Sequence, residues 1–160
     1  MKIKTVILNL VFFAAFFGGV YWLFNQPVGS PPKVDLELEH YVDQWQADMQ
    51  KAGLDYEAGF NRIDSIVVVP YHNTAAAGRF NKANGCISIV QEEIDNSGPL
   101  QLRVLLYHEL GHYVFDLEHC DRCIIMNPEL NSEEFYEEHW EEAINDYINQ
   151  CAENEFEAKY

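Results

Sequence analysis

The sequence predicts an α+β domain with a small mixed sheet, placed behind an apolar N-terminal segment. Residues 35–52 and 135–151 repeat apolar residues at the helical period and therefore predict amphipathic helices that pack on a core. Two short runs, residues 63–71 and 86–90, are rich in β-branched residues and predict strands. Between them and the last helix, residues 100–115 are apolar almost all round, so this helix should lie at the centre of the domain.

The N-terminal segment contains an apolar run at residues 5–24, broken only by Asn9 and preceded by Lys2 and Lys4. A helix of this length can span a bilayer. A cleavable signal sequence usually has a shorter core that ends in small residues, so we expect residues 1–24 to be an uncleaved transmembrane anchor, with cleavage and secretion as the alternative. By the positive-inside rule, the rest of the chain then lies in the periplasm or the extracellular space.

Between the anchor and the domain, residues 25–34 are proline-rich and are expected to be a spacer without regular structure. The remaining residues, 35–160, are enough for one domain. They contain 7 basic and 26 acidic residues, a net charge of −19. Nucleic acid should be repelled by this charge and is excluded as an expected partner.

The first predicted helix, residues 35–52, should end at Gly53, and its His40 is expected at the surface. Residues 63–71 are apolar enough for a strand that is buried on both faces and ends at a proline. Residues 72–85 are rich in small residues and asparagine, which indicates a long loop or a weak edge strand before the strand at 86–90.

The central helix is expected to follow a turn at residues 96–99, with Ser97 as its N-cap and Pro99 as an early helical residue. Before the last helix, Asn131 and Glu134 resemble a capping box. The polar tail after that helix is expected to fray.

The central helix carries HELGHYVFDLEH at residues 108–119. His108 and His112 are four residues apart, so their side chains lie about 40° apart on one helix face and can bind one metal ion. Glu109 is turned by about 100°, which places its carboxylate beside the ion, where a general base for water is needed. Because two buried histidines and a buried glutamate would be costly without a partner charge, a metal site is favoured over ordinary core histidines.

The motif and the residues after it resemble the metzincin zinc peptidases, which carry HExxHxxGxxH followed by a methionine turn beneath the metal. The resemblance extends to small bacterial metallopeptidases and covers about residues 85–130. It implies a reduced metzincin-like fold, three histidines that bind Zn²⁺, a glutamate as general base and a peptide or protein substrate. The matching residues are His108, Glu109, His112, His119 and Met126.

The chain departs from the metzincin motif at the residue that turns the chain toward the third ligand. Phe115 occupies the place of the family's glycine, and Asp116 follows it. Asp116 keeps the family's spacing to His119, with one residue inserted before it, and aspartate is among the few residues that tolerate a left-handed conformation. We therefore expect the turn at Asp116.

Two acidic residues compete with His119 for the place of third ligand. Glu142 resembles the glutamate that gluzincin peptidases supply from a later helix, with Asp146 behind it, but it lies roughly 160° from the apolar face of its own helix and should face solvent. Glu118 stands at the family's ligand spacing, but imidazole is the usual partner of two other histidines. His119 is therefore preferred, and His72 is expected at the surface rather than as a fourth ligand.

A different class of function is a non-catalytic, anchored interaction module with a structural zinc site. Glu109 argues against it, since a structural site is usually closed by four ligands and has no use for a general base. The cysteines Cys86, Cys120, Cys123 and Cys151 are expected to form two disulfides in an exported domain, with free thiols or a second zinc site as the alternatives.

Overall fold

A four-stranded sheet and five helices make up the part of the chain that the structure describes. The computed structural model describes residues 31–71 and 77–158, with side chains up to residue 154. The predicted α+β class is confirmed. The strands are β1 (Lys33–Val34), β2 (Ser65–Val69), β3 (Gly78–Asn81) and β4 (Cys86–Val90), and the helices are α1 (Leu36–Ala52), α2 (Glu57–Phe60), α3 (Gln91–Asn96), α4 (Pro99–Val114) and α5 (Glu133–Ala158).

The sheet has the strand order β1-β2-β4-β3 and is mixed, as expected. β2 runs parallel to both β1 and β4, whereas β3 is antiparallel to β4 and forms the edge. The weak edge strand expected within residues 72–85 is therefore β3, while residues 72–76, which include His72, lie outside the described residues. The short turn from β3 to β4 passes through Gly85, whose φ of 60° suits glycine.

Two expectations about the first half of the domain are wrong. The spacer at residues 25–34 has regular structure at its end, because Lys33 and Val34 pair with β2 as a two-residue strand. β2 is also not buried on both faces: Ile66 is fully buried in the core, whereas Val67 and Val69 are half-buried. Side chains alternate along a strand, and only the face that carries Ile66 joins the main core.

α1 ends where the sequence predicts, with Gly53 in the left-handed region at φ 74°. His40 is exposed, as expected. The buried face of α1 centres on Trp45, whose indole N–H donates to the Tyr147 hydroxyl at 3.1 Å. That hydroxyl donates in turn to the carbonyl of Tyr107 at 2.8 Å, so hydrogen bonds join α1, α5 and α4 in the core.

The expected cap of the central helix is wrong. Residues 91–96 form the short helix α3, which the sequence reading missed, and Ser97 ends α3 rather than starting α4. The Ser97 hydroxyl donates to the Glu93 carboxylate at 2.8 Å, and Gly98 occupies the N-cap position of α4. Pro99 does occupy the beginning of α4, as expected.

A carboxylate from the last helix satisfies the first N–H groups of α4. Glu133 accepts from the backbone N–H groups of Leu100 and Gln101 at 3.0 and 2.9 Å. Gly98 leaves room for this contact, since a Cβ there would lie 2.2 Å from Glu133 Cδ. A negative charge is favourable at a helix N-terminus, so the contact stabilises α4 and joins it to α5.

The start and the end of α5 also differ from expectation. Ser132 caps the helix by accepting from the N–H of Phe135 at 3.3 Å, so the cap lies one residue after the expected Asn131. The N–H of Asn131 donates instead to the Tyr136 hydroxyl at 2.9 Å. The helix continues to Ala158 rather than fraying after Cys151.

Within the described residues, no helix is both long and apolar enough to cross a bilayer. The expected anchor at residues 1–24 and most of the spacer lie outside those residues.

Candidate metal centre

α4 brings two of the predicted ligands and the predicted base into the core. The helix is buried over most of its length, because its apolar residues face the sheet and the other helices on nearly every side. Within it His108 is 8% exposed and Glu109 is 6% exposed. His112, one turn later, is half-buried at the end of a cleft.

The third histidine arrives through a turn at the end of α4. Asp116 has a φ of 56° and, among the described residues, is the one non-glycine residue with positive φ, as the sequence predicts. The turn is closed by the N–H of Leu117, which donates to the carbonyl of Gly111 at 3.2 Å. His119 then lies exposed at the mouth of the site.

The three histidines converge on one point. The Nε2 atom of His108 lies 2.9 Å from that of His112 and 3.1 Å from that of His119. The possible ligand atoms of all three lie within 4.8 Å of one another. Among the described residues, these three histidines form the one group of possible ligands that could hold a metal ion.

The other nitrogens of the two helical histidines determine their tautomers. Nδ1 of His108 lies 2.8 Å from the carbonyl of Ile125, and Nδ1 of His112 lies 2.5 Å from the carbonyl of Leu117. A carbonyl only accepts, so each neutral ring carries its proton on Nδ1 and presents a lone pair at Nε2. Backbone carbonyls in this role are typical outer partners of metal-binding histidines.

The close approach of the Nε2 atoms fits a shared cation. With both Nδ1 atoms protonated, the Nε2 atoms of His108 and His112 face each other with their lone pairs at 2.9 Å. A bound cation relieves this repulsion, whereas a proton on Nε2 of His119 would relieve only the contact of His119 with His108. Tetrahedral zinc with Zn–N distances of about 2.0–2.1 Å needs nitrogens about 3.3 Å apart, close to the separations seen here. The donor set therefore fits a divalent metal of that size.

Burial keeps these rings in the form that binds metal. It lowers the pKa of His108 to about 4, although the Ile125 carbonyl opposes that shift and the other two histidines reinforce it. Burial also lowers the pKa of His112, with the Leu117 carbonyl acting in the opposite direction. Both rings are therefore neutral at pH 7, as a metal ligand must be.

Glu109 lies beside the histidine cluster rather than within it. Its side chain packs under β3, where a Cβ on Gly78 would lie only 2.7 Å from Glu109 Oε1. Burial raises the pKa of Glu109 to about 7, and a hydrogen bond from the backbone N–H of Phe80 partly offsets this rise. The sequence did not predict these two contacts with β3. The one feature that could have indicated them is Gly78 itself, because a glycine within a strand often marks a close approach of another chain segment.

Met126 lies under the helical part of the site. It is fully buried, and its Sδ is so close to α4 that a Cβ on Gly111 would lie 3.0 Å from it. The carbonyl of Met126 accepts from the N–H of Cys120 at 2.9 Å, which holds the residue after His119 to the residue at the turn.

The cysteines only partly follow the sequence expectation. Cys120 and Cys123 form a disulfide directly after His119, but Cys86 and Cys151 are free. The expected second disulfide is therefore wrong, because Cys151 is buried in the helical core and Cys86 lies on the less buried face of β4. A second zinc site with four thiolates is also ruled out by the Cys120–Cys123 bond.

The acidic competitors of His119 lie outside the cluster. Glu142 is exposed on α5, as the helical wheel predicts, and Asp146 accepts from Gln150 within the same helix at 2.9 Å. Glu118 is exposed as well. Neither Glu142 nor Glu118 belongs to the group that could hold a metal.

A cleft of about 550 Å³ opens in front of the histidines. β3 forms one wall, α4 forms the floor, and the chain after Met126 forms the opposite wall. The lining residues are Ala77, Gly78, Arg79, Phe80, Leu105, His108, Glu109, His112, His119, Asn127, Pro128 and Leu130.

Comparison of the chain with protein-family models, with curated proteins and with solved structures gives no match. The residues themselves offer three converging imidazoles, a buried carboxylate beside them and an open cleft. This arrangement can bind a divalent metal and hold a base next to it.

Proposed function

We propose that this protein is a zinc-dependent endopeptidase of the metzincin type, with His108, His112 and His119 as zinc ligands and Glu109 as general base. The observation that carries the proposal is the convergence of three Nε2 atoms beside a buried carboxylate that faces an open cleft. The HExxH spacing accounts for the helical part of this arrangement and the turn at Asp116 for the rest.

The ligand set favours a catalytic site over a structural one. Structural zinc sites are usually closed by four protein ligands, whereas catalytic sites use three and leave a position open. Here three histidines converge, and no fourth histidine, cysteine or acid joins them in the described part of the chain. A zinc ion bound there would supply Lewis acidity, which allows water to react near neutral pH.

Glu109 is suited to be the base because of its position. It is next in sequence to His108 yet outside the ligand group, and it lines the same cleft as the three histidines. A carboxylate there can take a proton from the attacking water and pass it to the leaving amine. Its low exposure keeps competing solvent away from the carboxylate.

The edge of β3 favours an extended peptide as substrate. Val90 N–H donates to the carbonyl of Ala77, so the backbone groups of Gly78 and Phe80 point away from β4. The N–H of Phe80 faces Glu109, so the N–H and C=O of Gly78 and the C=O of Phe80 are the groups that lie along the cleft. An extended peptide can bind such an edge as an additional strand.

The test uses purified full-length protein, loaded with zinc, and a diverse library of peptides. Wild-type protein should bind one zinc ion and cleave internal peptide bonds. Glu109→Gln should retain the zinc and the fold but lower turnover by about two orders of magnitude or more, because the base is lost. Glu142→Gln, which removes an exposed carboxylate from α5, is the matched control and should leave turnover unchanged.

Two outcomes would contradict the proposal in different ways. Unchanged turnover in zinc-loaded Glu109→Gln would remove Glu109 from the mechanism. A wild-type protein that binds one zinc ion and cleaves no peptide in the library would support the non-catalytic interaction module instead.

The site is proposed to face the periplasm or the extracellular space, held to the membrane by the apolar residues 5–24. The full-length protein should then fractionate with membranes and resist carbonate extraction. Release of a shortened, soluble form would instead indicate a cleaved signal sequence.

A further inference from the structure

The edge strand β3 touches both the candidate base and one of the candidate ligands. We infer that β3 is a positioning element for the reaction, in which Gly78 provides the space that Glu109 occupies and Phe80 holds Glu109 and His112 in place. The inference rests on the proposed function where it treats Glu109 as the base. The contacts that carry it exist in the protein without a substrate.

Gly78 is needed for space rather than for its backbone conformation. Its φ does not lie in the left-handed region. Among the described glycines, only Gly53 and Gly85 have a φ in that region. A Cβ on Gly78 would lie 2.7 Å from Oε1 and 3.0 Å from Cγ of Glu109, and 3.0 Å from Cδ1 of Leu105. Any other residue would therefore have to displace the Glu109 side chain.

Phe80 acts on the same site through two different groups. Its backbone N–H faces the Glu109 carboxylate. Its ring stacks on His112, with the ring centroids 5.7 Å apart and an interplanar angle of 26°. Because residues two apart on a strand face the same side, Gly78 and Phe80 both face α4.

The same strand also offers its free edge to the cleft, as the outward N–H and C=O of Gly78 show. The strand β3 therefore positions two things at once, namely Glu109 and a peptide that binds along its edge. A misplacement of about 1 Å at a reacting group can cost about a hundredfold in rate, so this common support matters for turnover. β3 thus sets the distance between substrate and base.

The first test is a stability cycle that needs no turnover. Gly78→Ala should lower the urea midpoint of the metal-free and the zinc-loaded protein. In the Glu109→Ala background the added methyl group has space, so the same change should lower the midpoint by less than half as much. The control is Gly53→Ala at the end of α1, where the added Cβ meets no atom within 4 Å and only the backbone at φ 74° is strained, so the change should cost the same in both backgrounds.

The second test measures peptide cleavage at equal zinc content. Gly78→Ala should lower kcat roughly ten- to a hundredfold, because the base moves. In the Glu109→Asp background, where the closest contact of the methyl group, 2.7 Å to Oε1, is absent, the same change should lower kcat less than about threefold, an attenuation that a general loss of stability would not produce. Gly53→Ala should leave kcat within about twofold of wild type, since its Cβ meets no part of the site.

Equal stability losses with and without Glu109→Ala, or an unchanged kcat in zinc-loaded Gly78→Ala, would overturn the inference. If Gly78→Ala alone fails to fold, the double variant decides: folding of Gly78→Ala/Glu109→Ala supports the inference, and its failure while Glu109→Ala folds refutes it. A wild-type protein without peptidase activity overturns the proposed function, whereas the stability cycle still decides whether Gly78 positions Glu109.

Discussion

The two parts of the chain that contribute to the metal centre differ in how they hold their histidines. α4 presents His108 and His112 from a buried helix, and each ring is held by a hydrogen bond to a backbone carbonyl. The ligand loop, residues 115–130, has no regular structure and presents His119 as an exposed residue. The helical histidines therefore belong to the core as well as to the site, whereas His119 belongs to the site alone.

This difference separates stability from metal binding. If His108 is replaced by a residue that cannot donate a hydrogen bond, the carbonyl of Ile125 loses its partner. Replacement of an exposed histidine leaves no such defect. The ligand loop depends instead on local devices, namely the left-handed Asp116, the bond from Cys120 N–H to the Met126 carbonyl, and the disulfide.

The largest effect is expected for the ligands themselves. His108→Ala and His119→Ala should each lower zinc affinity by more than about a hundredfold, beyond the range typical of outer-shell changes. Only His108→Ala should also destabilise the metal-free protein, by about 1–3 kcal/mol, because the Ile125 carbonyl loses its partner. Zinc titration and urea unfolding measure the two effects.

Glu142→Ala is the control for these ligand substitutions, since Glu142 is exposed and lies outside the histidine cluster. It should change neither zinc affinity nor stability. Loss of zinc in Glu142→Ala with retention in His119→Ala would place the third ligand on α5 and refute the metzincin interpretation.

The next effect concerns the turn between the two parts. Asp116→Val should destabilise the protein by about 1–2 kcal/mol, because a branched side chain is strained at a φ of 56°. It should also weaken zinc binding, since His119 depends on the turn. Asp116→Gly, which tolerates this conformation, should preserve both properties, as urea midpoints and zinc titrations would show.

A second control for the turn is Lys82→Ala. Lys82 forms an ion pair with Asp116 at 2.9 Å, but both side chains are exposed, so the pair should contribute little. If Lys82→Ala and Asp116→Gly both weaken zinc binding as much as Asp116→Val, the ion pair and not the backbone conformation holds the loop.

The smallest effect is expected for the disulfide. It closes a very short loop, for which chain entropy predicts a stabilisation of about 2 kcal/mol at most. Cys120→Ser/Cys123→Ser should therefore lower the urea midpoint modestly and weaken zinc binding only through the mobility of His119. Cys86→Ser, which removes a free thiol, is the control and should leave zinc binding unchanged.

A titration of free thiols tests the cysteine pairing directly. Unreduced, denatured wild-type protein should show two titratable thiols, from Cys86 and Cys151. No thiols would mean that these two cysteines are also paired, and four would mean that the ligand loop lacks its disulfide.

Local features of the chain could be predicted from the sequence. The end of α1 at Gly53, the buried α4 and the solvent-facing Glu142 follow from helical periodicity and from the conformational freedom of one residue. The approach of His108 to His112 follows from their spacing of four, and the turn at Asp116 follows from the tolerance of aspartate for positive φ. Each of these depends on residues within about two helical turns.

The features that the sequence did not reveal join residues far apart in the chain. Glu133, and not Ser97, satisfies the N–H groups at the start of α4, across more than 30 residues. Gly78 and Phe80 lie against Glu109 from β3, a segment whose sequence is equally typical of a loop. Cys86 does not meet Cys151, because Cys86 lies on the less buried face of β4 and Cys151 lies in the helical core. These contacts depend on how the sheet packs against the helices, because side chains distant in sequence become neighbours only when the core closes, and no local period records which of them will meet.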